Sequence, residues 1–480
     1  MSTATFTCNL IKSEPSQFPH FWEHCIGSGH ATLALRADWQ QQITRCKKEL
    51  GFQNVRFHGI LSDDMGTLVK QNDEIIFSFF NVHQICDFLR SINMRPFIEF
   101  SFMPLALASG SDTVFKYQGN ITPPQNYTEW GNLIFTLVEH LKERYGATEL
   151  KEWFFEIWNE PNLKTFWTGS QADYFKLYQF SAKAIKKVHP DLKVGGPATA
   201  KNAWITPFIN FCKKNKLPLD FISTHHYPTD AFGKPGDDTI EQLAKSKVSI
   251  LQTDVKKTKK LAGNLPVYYT EWSTSSNPFD ELHDQAYAAA YITKTIMEAG
   301  GYVEGYSYWT FSDIFEENYF SSIPFHGGFG LLNIYGIPKP AYRAYQLLHT
   351  LGDKIFKVSG GHESVDIWII KKTTSIQILF TNSILPTHTQ KTAFVDIVLQ
   401  MEEKVVASFV ERINEIHANA TNAWINMGSP DSLSPAQVAS LEKSSSLVKE
   451  PFSIKSQDKT VSINIDIPPQ GVACITLETN

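Results

Sequence analysis

Eight times between about residue 20 and residue 350, a short apolar run is followed by a stretch with helical spacing of its apolar residues. That alternation is the signature of βα units and a parallel sheet. The runs at 24–27, 54–59, 95–101, 153–159, 192–196, 221–227, 266–271 and 305–310 are expected strands. The stretches at 39–50, 75–91, 126–145, 172–189, 204–214, 240–261, 283–299 and 341–351 are expected helices. Eight alternations with no long gap predict a closed (β/α)8 TIM barrel rather than an open sheet.

Such a barrel uses roughly 250 to 330 residues, so a chain of 480 has room for a second module. Beyond residue 352 the pattern changes to alternating polar and apolar residues at 364–371, 375–381, 392–400 and 460–467, with 471–477 closing the chain. This reads as an antiparallel β-sandwich. Residues 429–448 interrupt it, with Ser434-Pro435-Ala436-Gln437 opening a capped helix. Residues 3–11 are also strand-like and are expected to join the same module. The division is therefore 14–352 for the barrel, and 1–13 with 353–480 for the sandwich and its helical insert near 430–448.

A net charge of −5 provides no basic footprint for nucleic acid and no polybasic membrane patch. No apolar stretch approaches the length of a membrane helix. The six cysteines are scattered without a paired spacing and read as reduced and buried. Residues 1–20 lack a basic start followed by an apolar block, so the expected compartment is the cytoplasm. Acceptor patterns at Asn120, Asn126 and Asn419 carry no meaning in a chain that is not exported. Neither a metal nor a cofactor is expected, the partner is expected to be small and soluble, and self-association into a homo-oligomer is left open.

In a barrel of this kind, functional groups sit at the C-terminal ends of strands. The fourth strand ends Trp158-Asn159-Glu160-Pro161-Asn162 and the seventh Tyr269-Thr270-Glu271-Trp272. Taken alone, an Asn-Glu pair is a cap or turn, but an aromatic strand before it and a proline behind it favour a site. Two carboxyls about 5 Å apart are what cleavage of a glycosidic bond with retention requires. Glu160, walled by Trp158 and an opposing carboxylate, suits the acid. Glu271, among donors such as Arg56 and Tyr227, suits the nucleophile. Period-2 alternation sets Arg56 and His58 on one face of the second strand, where Arg56 serves the site or a structural ion pair beneath it. It aligns His225 with Tyr227 on the sixth strand and turns His226 away, which weakens a metal reading of the paired histidines. Trp309 reads equally as a floor under a sugar or as core. The acids Glu316 and Glu317, on a long loop after the eighth strand, are candidates for binding sugar hydroxyls.

Taken together these motifs resemble the β-xylosidases of glycoside hydrolase family 39. The likeness runs through 27–31, 51–65, Trp158 to Asn162 with Phe166-Trp167, Thr270-Glu271-Trp272, 311–340, and the C-terminal stretches 417–419 and 427–430. The resemblance implies a retaining exo-β-xylosidase with Glu160 as acid/base and Glu271 as nucleophile. Arg56, His58, Asn159, Phe166, His225, Tyr227, Trp309, Glu316 and Glu317 fall at positions similar to that family's sugar-binding set. Asn162 and Trp272-Ser273-Thr274-Ser275 favour the xylosidase branch over the related iduronidases, while Phe279 departs from the pattern on the leaving-group side. The alternatives are a retaining hydrolase for another β-linked sugar and a carbohydrate-binding protein that has lost catalysis.

Overall fold

The computed structural model describes residues 2–72, 74–229, 236, 238–247, 249–318, 321–389 and 391–480. Eight parallel strands close into a barrel. They are β1 (Cys25–His30), β2 (Asn54–His58), β3 (Arg95–Phe100), β4 (Phe154–Ile157), β5 (Lys193–Thr199), β6 (Phe221–His226), β7 (Val267–Trp272) and β8 (Gly305–Tyr308). Around them run α1 (Ala37–Leu50), α2 (Phe80–Ser91), α3 (Tyr127–Tyr145), α4 (Gln171–Val188), α5 (Ile205–Lys214), α6 (Thr239–Lys245), α7 (Ile250–Ala262), α8 (Ala286–Ala299) and α9 (Pro340–Thr350). Local chemistry marks the ends. Ser170 and Asp173 form a reciprocal cap that starts α4, and Gly51, at φ 78°, ends α1 in the left-handed conformation that costs glycine least.

Two expected helices differ. The helix predicted from residue 75 begins at Phe80, because Leu68–Gln71 and Glu74–Phe77 pair as an antiparallel ribbon. Ile75 and Ile76 lie exposed on that ribbon; β-branched residues favour it, and Asn72 at φ 51° supplies its turn. The single helix predicted over 240–261 is two, α6 and α7. Ser246 is extended and Ser249 left-handed, so the hydrogen-bond ladder stops and restarts; residue 248 between them lies outside the described residues.

The barrel interior is layered. At the bottom Phe97, Phe154 and Phe221 pack with Cys25 and Tyr268, the first two rings stacked 5.1 Å apart. This aromatic plug fills the narrow end, as interior-facing positions of a small barrel require. Above it the register pairs Glu99 of β3 with Glu156 of β4, and the plug gives way to charge.

The two larger of the remaining sheets form a two-layer sandwich. Ser2–Asn9 lies in the five-stranded sheet, parallel to Ala393–Gln400, which in turn pairs with Thr460–Ile467. The larger sheet is built on Val365–Lys372, Ser375–Asn382, Gly471–Thr479 and Val405–Ile413, the last of these not anticipated from sequence. Ser16–Gln17 also enters this sheet, against Lys354–Phe356. Inner faces meet through residues such as Phe6, Ile397, Ile463, Ile369, Ile378 and Ile475. The helices Ala420–Asn426 and Pro435–Ser444 leave the sandwich and pack Trp424 and Leu441 against Phe325 and Ile337, which belong to the long loop after β8.

Lys339 fastens that loop. Its fully buried ammonium lies 2.6 Å from Asp284 and 2.8 Å from Asp313, and donates to the carbonyl of Gly328 at 2.9 Å. Both carboxylates are buried, so removing the cation strands two charges out of water. Lys339→Met is therefore expected to destabilise the fold by about 3–5 kcal/mol, read as a lower urea midpoint. An unchanged midpoint would show that the pairing holds nothing.

Candidate functional site

At the C-terminal mouth of the barrel lies a cavity of about 350 Å³, whose lining includes His58, Asn159, Glu160, Phe166, Tyr227, Glu271, Trp309 and Glu317. Each arrives from a strand end or the loop that follows it. Strand alternation aims Arg56 and His58 of β2 inward. The chain after β4 turns sharply, with Trp158 at φ 69° and Glu160 at φ 44°, and the Glu160 amide is tied to the carbonyl of Ala198 at 2.8 Å. Asn162 clamps the same turn by exchanging hydrogen bonds with the backbone of Ala200. Gly27 allows Trp309 to settle, since a Cβ there would stand 2.6 Å from the indole.

The centre of the site is Arg56, fully buried. Its guanidinium donates to Glu271 Oε1 at 2.7 Å, Glu156 Oε2 at 2.6 Å and Asn159 Oδ1 at 3.0 Å, and pairs with Glu99 at 2.8 Å. The arginine thus contacts Glu271 and at the same time lies in ion pairs with Glu99 and Glu156 beneath it. Glu271 receives a second donor, the hydroxyl of Tyr227 at 3.0 Å on Oε2. His58 bridges the lower layer to the upper: Nδ1 meets Glu99 at 2.5 Å, while Nε2 lies 3.5 Å from Glu271 and 3.8 Å from Glu317.

Glu160 contacts His225 Nδ1 at 2.9 Å, and the same nitrogen lies 3.5 Å from Glu271. Carboxylate atoms of Glu160 and Glu271 and a nitrogen of His225 all fall within 4.8 Å of one another. That separation matches carboxyls which attack and protonate one anomeric centre, and is too short to leave room for a water between them. The three groups could also chelate a cation, but the Arg56 guanidinium already takes the Glu271 charge, which disfavours a second positive ion.

The environments push the acids apart. Burial, reinforced by the charge of Glu271, raises the proton affinity of Glu160 well above the ordinary carboxyl value. Glu317 is raised well above it for the same reasons, burial first and then Glu271 and Glu99. Glu156 is raised by burial, with Arg56 opposing. Glu99 goes the other way: burial lifts it, but His58 and Arg56 together bring it below its usual value. Burial and then Glu271 also raise the phenol of Tyr227, which keeps it a donor.

Two expectations fail. Trp158 does not wall the cavity; it is turned into the core between Phe102, Trp130 and Trp167, its indole nitrogen donating to the carbonyl of Phe166 at 2.8 Å. Glu316 is not brought to the cavity either. It pairs with Arg36 on the rim, while its neighbour Glu317 turns inward and is buried. In the other direction, Glu99, Glu156 and Thr270 were not anticipated. Lone acids inside Pro96-Phe97-Ile98-Glu99-Phe100 and Phe154-Phe155-Glu156-Ile157 are the signal, because an apolar strand bears a charge only where a partner waits.

Because Glu271 contributes to the raised proton affinity of Glu160, Glu271→Gln is expected to lower the pKa at which Glu160 titrates. Carbon-13 NMR of labelled glutamate reads this directly. A Glu160 signal that titrates at the same pH in both proteins would remove the coupling.

Comparison with known proteins returns the model of the glycosyl hydrolases family 39 over residues 10–459. A β-xylosidase of Caldicellulosiruptor saccharolyticus is 49% identical, over 95% of this chain and 95% of its own. One of Geobacillus stearothermophilus is 38% identical, over 88% and 86%. The crystal structure of a monomeric β-xylosidase from Caulobacter crescentus CB15 superposes with a TM-score of 0.88 at 31% identity, covering 99% of each chain.

Proposed function

This chain belongs to the glycosyl hydrolases family 39, and from that premise we propose that it is a retaining exo-β-xylosidase releasing terminal β-D-xylosyl residues from xylo-oligosaccharides or xylosides. The observation that carries the reading is the approach of Glu160 and Glu271 to within 4.8 Å across one cavity. We assign catalysis to the barrel, residues 14–352, and support of its loops to 1–13 with 353–480.

Glu271 attacks the anomeric carbon as its bond to the leaving oxygen breaks, and Glu160 gives that oxygen its proton. Arg56 and Tyr227 hold the attacking carboxylate as an anion and aim it. In the second step Glu160, now ionised, takes a proton from water. The water oxygen attacks the same carbon, the ester to Glu271 breaks, and xylose leaves with its configuration kept. Asn159 has its oxygen committed to Arg56, so its amide nitrogen is free to donate to the sugar 2-hydroxyl, a contact that strengthens in the transition state. Trp309 and Phe166 supply apolar faces for the ring, and Glu317 a buried carboxyl for its hydroxyls. The partner is a small carbohydrate, and among the described residues no helix is long and apolar enough to cross a membrane. The six cysteines are all free and buried, which suits a reducing compartment such as the cytoplasm.

Glu271→Gln is expected to bring hydrolysis of nitrophenyl β-xyloside down to background, and retention of near-full rate would overturn the assignment. Glu160→Ala is expected to cost about 10²- to 10⁴-fold on xylobiose and much less on activated aryl xylosides, with azide restoring turnover as a glycosyl azide. Absence of both rescue and adduct counts against Glu160 as acid/base. Rates on chromogenic glucoside and galactoside above that on xyloside would transfer the enzyme to another sugar.

A further inference from the structure

Beneath the two glutamates a hydrogen-bonded chain crosses the barrel floor. Arg56 Nε donates to Glu156 Oε2 at 2.6 Å, and the hydroxyl of Thr270 donates to Glu156 Oε1 at 2.8 Å. The same hydroxyl oxygen lies 3.0 Å from His225 Nε2, and His225 Nδ1 lies 2.9 Å from Glu160 Oε1. Glu156, Thr270 and His225 are at most 1% exposed, so water does not complete these bonds.

We propose that Thr270 and Glu156 are positioning residues that fix the tautomer of His225 and thereby hold the acid/base proton on Glu160. The argument is a count of protons, and it rests on Glu160 being the acid/base. The Arg56 contact at Oε2 favours the carboxylate form of Glu156 against the effect of burial, and a carboxylate has no proton to give. Thr270 has one, and spends it on Glu156. Its oxygen can then only accept from His225, which places the imidazole proton on Nε2. A neutral imidazole has no second proton. His225 is held neutral by burial first and then by Arg56 and the neighbouring imidazoles of His58 and His226, which lower its proton affinity well below the ordinary value. Its Nδ1 therefore faces Glu160 as a bare lone pair, and the 2.9 Å bond forms only when Glu160 brings the hydrogen.

The arrangement serves both steps. Before bond cleavage it stores the proton on the oxygen that will deliver it. After delivery the Glu160 carboxylate confronts a lone pair with no hydrogen between them, which makes it a keener base toward the incoming water. The other groups facing Glu160 are Glu271 from β7, Glu99 from β3, Arg56 from β2, Lys201 after β5, Tyr227 after β6 and Glu317 after β8. The histidine tautomer sets the last hydrogen bond within that field.

The test reads the tautomer itself. In protein labelled with nitrogen-15 histidine, the His225 ring, assigned by its loss in His225→Ala, is expected to be neutral with the proton on Nε2. A proton on Nδ1 overturns the proposal. In Glu156→Gln the amide oxygen stays with Arg56 and its NH2 faces Thr270, so the Thr270 hydroxyl turns to His225 and each donor downstream reverses. The proton is then expected on Nδ1, the alkaline limb of kcat/KM moves to lower pH, and kcat/KM falls about tenfold more on xylobiose than on dinitrophenyl xyloside. Thr270→Val removes the acceptor and is expected to act in the same direction, and it stands in should Glu156→Gln not fold. Thr270→Ser keeps the hydroxyl and is expected to leave tautomer and limb in place. A wild-type tautomer and limb in the first two variants, or losses equal across leaving groups, overturns the proposal. Failure of azide rescue in Glu160→Ala, with the Nε2 proton found in place, would instead remove the role of Glu160 and so the proposal's premise.

Discussion

One cation, Arg56, decides how the acids of this barrel behave. It sits fully buried with Glu99, Glu156 and Glu271 all within 2.8 Å of its nitrogens. Removing a guanidinium from water is costly, and the cost is offset only where its donors are satisfied at short range. Here they are, by three strands at once, so the strand ends cannot drift without breaking a charged contact. The aromatic plug of Phe97, Phe154 and Phe221 closes the barrel below and keeps water from relaxing the pairing. The catalytic geometry is thus built from the floor upward: apolar closure first, then an ionic layer, then the cavity.

The rim needs a different kind of support because the loop after β8 is long and carries Glu317. Lys339 pins it from beneath through Asp284 and Asp313. From the side, Trp424 of the helical insert packs on Phe325 at 5.4 Å between ring centres. Arg45 of α1 reaches Glu442 on the neighbouring insert helix, and Arg343 of α9 donates to the Ser445 carbonyl at 2.7 Å. An insert that leaves the β-sandwich to pack on the loop after β8 ties the second module to the barrel. Its helices find their apolar partners on the barrel.

The barrel was legible in the sequence because its signal is periodic and repeated eight times, and five of the expected strands finish with polar residues that an apolar core would not choose. Glu160 and Glu271 stood out for that reason. The ribbon at Leu68–Gln71 and Glu74–Phe77 did not, since two exposed isoleucines beside an amphipathic helix extend its apolar pattern without sharing its backbone. Trp158 was misplaced because its own backbone, at φ 69°, leaves the strand alternation that would have set it beside Glu160, and a left-handed φ cannot be read from a tryptophan. Glu316 and Glu317 are adjacent acids, and only the loop's path decides that one meets Arg36 outside and the other His58 inside. Glu99 and Glu156 were visible as charges in apolar strands. Their partner became evident only once closure brought β2, β3 and β4 side by side.

The distribution of protons then follows from charge balance in a confined space. Glu160, Glu271 and Glu317 all face one cavity, and three anions there would repel one another across a medium that screens poorly. Arg56 touches Glu271 directly, with Tyr227 as a second donor. At Glu160 and Glu317, burial beside a fixed negative charge outweighs the cations nearby and raises both. The cavity therefore sets two carboxyls of raised proton affinity beside one carboxylate that accepts from both Arg56 and Tyr227. In the proposed reaction, positive charge develops at the anomeric carbon and that carboxylate is the group that would meet it. In the proposed mechanism, the asymmetry that separates acid from nucleophile thus originates below the cavity, in which of three carboxylates the strands lay against a single arginine.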